Sequence, residues 1–206
     1  MEEKTISITP GDLHPRDAYR LLISVVVPRP IGWVSTIGAD GSLNLAPFSF
    51  FNAVGGTPPT VMVSVGQRAG VPKDTLHNVQ ETGEFVVHIV NEALAERMNQ
   101  TSGEWPYDVN EFELAGLTTL PSTNVRPPRV AEALIAMECK ATQIVPVNDT
   151  HYTMVLGQVL RYHIREELLG PDMRVQALQL RSIARLGGDE YTAIDRVFAM
   201  ERPKVD

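Results

Sequence analysis

From Ile31 to Ile164 the chain is cut by Pro, Gly and Asn into short β-forming runs, and no other feature limits its fold so strongly. Ile31–Ile37 predicts a strand, Gly38-Ala-Asp-Gly41 a tight turn, and Ser42–Ala46 the returning arm of a hairpin. Thr60–Val65 follows Pro58-Pro59 as another strand, and Glu84–Val90 carries the strongly β-forming Phe-Val-Val-His-Ile-Val. Two longer runs, about Ala133–Val145 and Tyr152–Ile164, are joined by the polar turn Asn148-Asp-Thr. The opening residues alternate weakly and fit a short edge strand. Helices fit in few places. One starts near Pro15, where proline suits a first turn. Another runs from Asp74, a capping residue, to about Thr82, with Gly83 at its C-terminal end. A third runs from Asn91 to about Asn99, and the tail holds one more helical stretch. About six or seven strands with so few helices predict a mainly β fold, a closed or nearly closed barrel. At 206 residues the chain suits a single domain spanning 1–206. Its elaborations are an N-terminal extension and an irregular insertion at about 101–130.

That insertion holds four prolines, two glycines and scattered aromatics, and a loop of such length in a compact domain is usually functional or covers something. No strand leads into a Gly-x-Gly-x-x-Gly turn and helix, so a Rossmann nucleotide site is not expected. A net charge of −7 argues against a nucleic-acid partner, which would call for a basic face. Arg161, Arg165, Arg174, Arg181 and Arg185 crowd one C-terminal stretch, either as solvated charges or as a local anion site. The five histidines are scattered, with no Cys/His pairs at ligand spacing, so no metal is expected. His88 and His163 fall in strands, where satisfied core or surface histidines are the rule. The one cysteine, Cys139, lies in an alternating segment and reads as a small hydrophobe in a reducing, cytoplasmic setting. The Met-Glu-Glu-Lys start carries no signal-peptide pattern, and no apolar run has the length of a membrane span.

Three segments carry candidate chemistry. Pro28-Arg-Pro-Ile-Gly-Trp-Val-Ser-Thr36 puts an aromatic and two adjacent hydroxyls on an extended strand, as ligand donors or as ordinary strand filling. Asn44-Leu-Ala-Pro-Phe-Ser-Phe-Phe-Asn-Ala-Val-Gly-Gly-Thr-Pro-Pro59 mixes small, polar and aromatic residues without a period. Phe48, Phe50 and Phe51 with Ser49 and Asn52 could face a flat heteroaromatic ring and its polar edge, or could simply pack a turn. Lys73-Asp-Thr75 opens a helix, whose N-terminus favours an anion, although a simple cap by Asp74 accounts for the same residues.

Taken in order, Arg-Pro-Ile-Gly-Trp-Val-Ser-Thr, Asn-Leu-Ala-Pro-Phe-Ser-Phe-Phe-Asn, Pro-Pro before a Val-rich strand, Lys-Asp-Thr, and Glu-Thr-Gly-Glu-Phe-Val-Val resemble the flavin reductase-like family of FMN-binding split barrels. The likeness is strong over about Pro28 to Val90 and resumes at Glu138-Cys-Lys and at Ala184-Arg-Leu-Gly-Gly-x-x-Tyr191. It implies a six-stranded antiparallel split β-barrel with a few inserted and flanking helices, in a homodimer. It implies FMN as cofactor, NADH or NADPH as co-substrate, hydride transfer between them, and in some cases a flavin-dependent monooxygenase partner. Carried over by position, Trp33, Val34, Ser35 and Thr36 border the ring and ribityl chain. Ser49, Phe50, Phe51 and Asn52 meet the ring edge and ribityl hydroxyls. Lys73 and Thr75, with Ser64 and Gln67, take the phosphate, Asp74 belongs to the same cofactor-binding set, and Arg185 approaches the ring or the nicotinamide. Many short-chain members carry a histidine near the closing Gly-Gly-x-x-Tyr segment; this chain has Arg185 and no histidine there. The flavin does the chemistry in such a protein, so no side chain is assigned as catalytic acid or base. Two other readings stay open: an FMN-holding protein without nicotinamide turnover, and an FMN-dependent oxidase of a small molecule.

Overall fold

The protein is described by a computed structural model covering residues 4–68, 70–148 and 150–205, so Asp149 of the expected polar turn and the Met-Glu-Glu start lie outside the described residues. Residues 4–9 form no strand; a single 3-10 turn, Pro10–Asp12, stands near the expected edge strand. Helix α1 (Pro15–Val25) begins with proline in its first turn, where a missing N–H costs nothing, and ends before Pro28. Its sequence is amphipathic, yet none of its residues is buried.

After the short strand β1 (Arg29–Pro30) come β2 (Gly32–Ile37), β3 (Leu43–Phe48), β4 (Phe51–Gly56), β5 (Pro59–Arg68) and β6 (Val71–Pro72). Helix α2 (Asp74–Thr82) follows. Lys73 is its N-cap, one residue before the expected Asp74, and Gly83 closes it in the left-handed conformation at φ 69°. Strand β7 (Glu84–Ile89) leads into helices α3 (Ala95–Gln100) and α4 (Glu111–Leu114), then the short pair β8 (Thr119–Leu120) and β9 (Arg129–Val130). The long strands β10 (Ile135–Pro146) and β11 (Tyr152–Ile164), helix α5 (Ala177–Leu180), and the hairpin β12 (Ile183–Arg185) and β13 (Tyr191–Ala193) complete the chain.

The main sheet runs β3-β2-β7-β10-β11-β5-β4, every pair antiparallel, with β6 added to β5. It therefore exceeds the expected six strands. The difference lies chiefly in β4, whose Phe-Asn-Ala-Val-Gly-Gly has no strand period and is held by pairing with β5. The sheet curls on itself. Val34, Phe48, Phe51, Val63, Phe85, Cys139 and Val155, drawn from seven strands, meet in one apolar cluster, which a flat sheet could not do. Register shifts that leave Leu160 of β11 and Thr142 of β10 as extra residues help bend this pair of strands. Burial pushes the Cys139 thiol well above its usual range, so it acts as core and not as a nucleophile.

The opposite face of β2 and β3 is covered by the segment read as an irregular insertion. Trp33, Leu45, Met98, Phe112, Leu117 and Val130 form a second core there. Polar side chains hold this cover down. His88 is buried; its Nε2 accepts the Val130 N–H at 3.0 Å, so its Nδ1 donates to the Trp33 carbonyl at 2.9 Å. Desolvation pushes its pKa down to about 4, so it stays neutral. Buried Glu138 accepts the N–H groups of Thr123 at 2.8 Å and Asn124 at 2.5 Å, and meets His163 at 2.6 Å. Burial opposes its charge, but these donors outweigh it and hold the carboxyl below its ordinary value. Among the described residues no helix is long and apolar enough to cross a membrane.

Gly157 is the tightest point of the barrel wall: a Cβ there would overlap the Phe85 ring, itself fixed in the core. Gly157→Ala is expected to destabilise the fold by about 1–3 kcal/mol, the usual cost of overpacking. A urea midpoint unchanged from wild type would show that Phe85 yields.

Candidate functional site

Two concavities, of about 410 and 390 Å³, adjoin on the barrel surface and share Pro47, Phe48 and Lys73. Each is of the size of a small-ligand pocket. The smaller one takes Ser49 and Phe50 from the β3–β4 corner, Ser64 and Gln67 from β5, and Tyr19, His151 and Tyr152. Phe50 and Tyr152 lie with ring centroids 5.4 Å apart and make its apolar wall. The larger one continues past Lys73 to Asp74 and Thr75 at the start of α2, and ends against Trp105, Tyr107 and Glu111. Helix α2 thus points its positive end into the groove beside Lys73, a cation that lines both pockets.

Seven of the expected site residues, Ser49, Phe50, Ser64, Gln67, Lys73, Asp74 and Thr75, line this groove; the remaining seven do not. The strand pleat explains most of the exceptions. Trp33 points into the second core, where its Nε1 donates to Thr101 Oγ1 at 2.9 Å. Val34 points into the barrel, and Ser35 donates to the Pro128 carbonyl at 2.6 Å. Thr36 Oγ1 accepts from Asn44 Nδ2 at 2.9 Å and from Asn78 Nδ2 at 3.1 Å. Asn44 also donates to Thr75 Oγ1 at 2.9 Å, so Thr36 steadies a groove residue without reaching the groove. Phe51 fills the barrel core, and a Cβ on Gly32 would collide with its ring. Asn52 is exposed on β4 and accepts the N–H of Ala53 at 2.9 Å. Arg185 lies apart on β12, its guanidinium 4.4 Å over the Tyr191 ring and 2.5 Å from the Gly188 carbonyl.

Residues that the sequence did not single out complete the groove: Tyr19 from α1, Tyr152 from β11, and Trp105, Tyr107 and Glu111 from the insertion. The signal available for the last three was the length of that loop and its scattered aromatics. Glu111 is 5 % exposed, and its Oε2 accepts the Leu45 N–H at 3.0 Å. Burial raises its pKa to about 7; the Leu45 N–H and its own N–H oppose this, and the nearby Asp74 adds to it. One end of the groove is therefore acidic and aromatic, and the other offers hydroxyls, an amide and an apolar wall, with Lys73 between them.

The Flavin reductase like domain model matches residues 24–182. Nitrilotriacetate monooxygenase component B from Bacillus cereus superposes with a TM-score of 0.93 at 37 % identity, over 97 % of this chain and 100 % of that one. The 2-nitrobenzoate 2-nitroreductase of Pseudomonas fluorescens superposes with a TM-score of 0.87 at 33 % identity, over 96 % of both chains. A split-barrel domain protein from Shewanella frigidimarina NCIMB 400 shares the fold at a TM-score of 0.85 and 21 % identity, over 94 % of this chain and 96 % of that one.

The raised pKa of Glu111 has a direct consequence for stability. Between its ordinary value of 4.5 and about 7 the folded chain binds the extra proton, so this residue's contribution is full at low pH and is lost as pH rises through about 7. His88, depressed to about 4, acts in the opposite direction below its ordinary 6.5. The readout is therefore the difference between Glu111→Gln and wild type in urea unfolding at several pH values. The variant is expected to gain on wild type as pH rises, by no more than about 1.4 kcal/mol per pH unit, the one-proton limit. A difference independent of pH contradicts the assignment.

Proposed function

The chain belongs to the flavin reductase-like domain family, and on that premise we propose that it binds FMN along the Lys73 groove and passes it a hydride from NADH or NADPH. The observation that carries this reading is the donor set around Lys73: hydroxyls of Ser49, Ser64 and Thr75 and the amide of Gln67 line one continuous groove. That chemistry fits a ligand with a phosphate, a polyhydroxyl chain and a heteroaromatic ring. FMN supplies the two-electron chemistry when bound. The chain's own residues bind and orient. The Lys73 ammonium and the α2 N-terminus balance phosphate charge. Asp74, joined by Glu111 once that carboxyl ionises above about pH 7, repels a dianion from the acidic end, which leaves the phosphate near Lys73, Ser64 and Gln67. Phe50 and Tyr152 offer apolar surface to the ring and limit water there. No side chain need gain or lose a proton for a hydride to pass.

The likeness to component B of a monooxygenase supports delivery of reduced flavin to a partner enzyme. The likeness to a nitroreductase supports a second reading, in which the electrons go directly to a small organic acceptor. Exposed Leu22, Val25, Val26 and Val27 on and after α1, with Val54 on β4, support a second copy of the chain as a partner that covers them. Light scattering that gives a monomer at micromolar concentration removes that partner.

Lys73→Ala is expected to weaken FMN binding by about 1.5–3 kcal/mol, the range for a hydrogen bond to a charged group, as read from quenching of flavin fluorescence. Riboflavin, which lacks the phosphate, is expected to bind wild type and variant alike. FMN affinity unchanged by the substitution would reject the phosphate assignment.

A further inference from the structure

Arg29 is 5 % exposed and ties together four parts of the chain. Its Nη1 donates to the carbonyls of Ile23 and Val26, both at 2.6 Å, at the C-terminal end of α1. Its Nη2 donates to the Leu186 carbonyl at 2.8 Å, and its Nε to Ser49 Oγ at 3.4 Å. Among the described residues no carboxylate pairs with it, and its hydrogen bonds go to three carbonyls and one hydroxyl. Burial lowers its pKa, Tyr19 opposes this and Arg185 adds to it; a guanidinium nevertheless keeps its proton.

Ser49 is the member of this set that lines the groove. A hydroxyl has one hydrogen to give and two lone pairs to offer. Arg29 can only donate, so it occupies a lone pair of Ser49 Oγ. Among the described residues no acceptor takes the Ser49 hydrogen, which remains for a ligand. A hydroxyl polarised by a buried cation is a stronger donor than a free one, and its advantage grows with the negative charge on the acceptor.

We propose that Arg29 is a positioning residue that acts through Ser49 to make the groove hold reduced flavin more tightly than oxidised flavin. This rests on the placement of FMN proposed above. Hydride arrival brings two electrons and one proton, so the ligand gains one negative charge. A donor fixed beforehand by Arg29 meets that charge without reorganising.

The test is the dissociation constant of wild type and variants for oxidised FMN and, anaerobically, for chemically reduced FMN, with the midpoint potential of the bound flavin as a second readout. Ser49→Ala is expected to lower the preference for the reduced form by about tenfold, which is about 30 mV for a two-electron couple. Ser49→Thr keeps the hydroxyl and is expected to restore the preference. Arg29→Lys is expected to lose part of it, and Ser49→Ala made in that background to cost less than it does alone. A Ser49→Ala protein that binds both forms with the wild-type ratio overturns the proposal, as does equal weakening of both forms. Wild-type protein that binds neither form overturns the FMN placement itself, and with it this inference.

Discussion

The rest of the structure depends on closing one antiparallel sheet around a single apolar core. Val34, Phe48, Val63, Phe85, Cys139 and Val155 point into that core, and Gly157 yields its side-chain volume to Phe85 so that the wall can pass. The pleat leaves the outward positions free for other contacts. On β2 and β3 those positions carry Trp33 and Leu45, which fasten the insertion as a second layer. At the β3–β4 corner Ser49 and Phe50, and on β5 Ser64 and Gln67, meet Lys73 at the start of α2. The groove exists because closure brings the corner, β5 and α2 to one rim.

The two layers are joined by polar groups that local sequence cannot announce. Glu138 holds the loop at Thr123 and Asn124, His88 bridges Trp33 to Val130, and Glu111 reaches back to Leu45. Each is buried and each hydrogen-bonds backbone from another part of the chain, Glu138 meeting the His163 side chain as well. The site inherits this rigidity: Thr75 is set by Asn44, which is set by Thr36 on the neighbouring strand.

Much of the fold was legible because strand period and Pro/Gly punctuation are local signals; Tyr152–Ile164 and the end of α2 at Gly83 fall where the pattern put them. Strand β4 was not legible, because Phe-Asn-Ala-Val-Gly-Gly has no alternation and owes its extension to β5. Nor were α4, β8 and β9, short elements stabilised by the surface they cover. For the site, the Lys-Asp-Thr helix start and the Ser-Phe pair were legible as donor and aromatic chemistry. The side chains of the Trp-Val-Ser-Thr strand turn away from the groove, and residue type alone does not say which face of the pleat is already taken. Arg29 was invisible as a site residue: its meaning comes from carbonyls on α1 and from Leu186, which lies 157 positions away.

The central claim is that flavin bound in the Lys73 groove is reduced by a nicotinamide. The most direct test is an anaerobic absorbance record of the purified protein with FMN, before and after addition of NADH and, separately, of NADPH. The account predicts a bound-flavin spectrum whose visible band bleaches with one of the two. A bound flavin that neither nucleotide bleaches would contradict the reductase assignment, and a spectrum of free flavin alone would contradict the binding site as well.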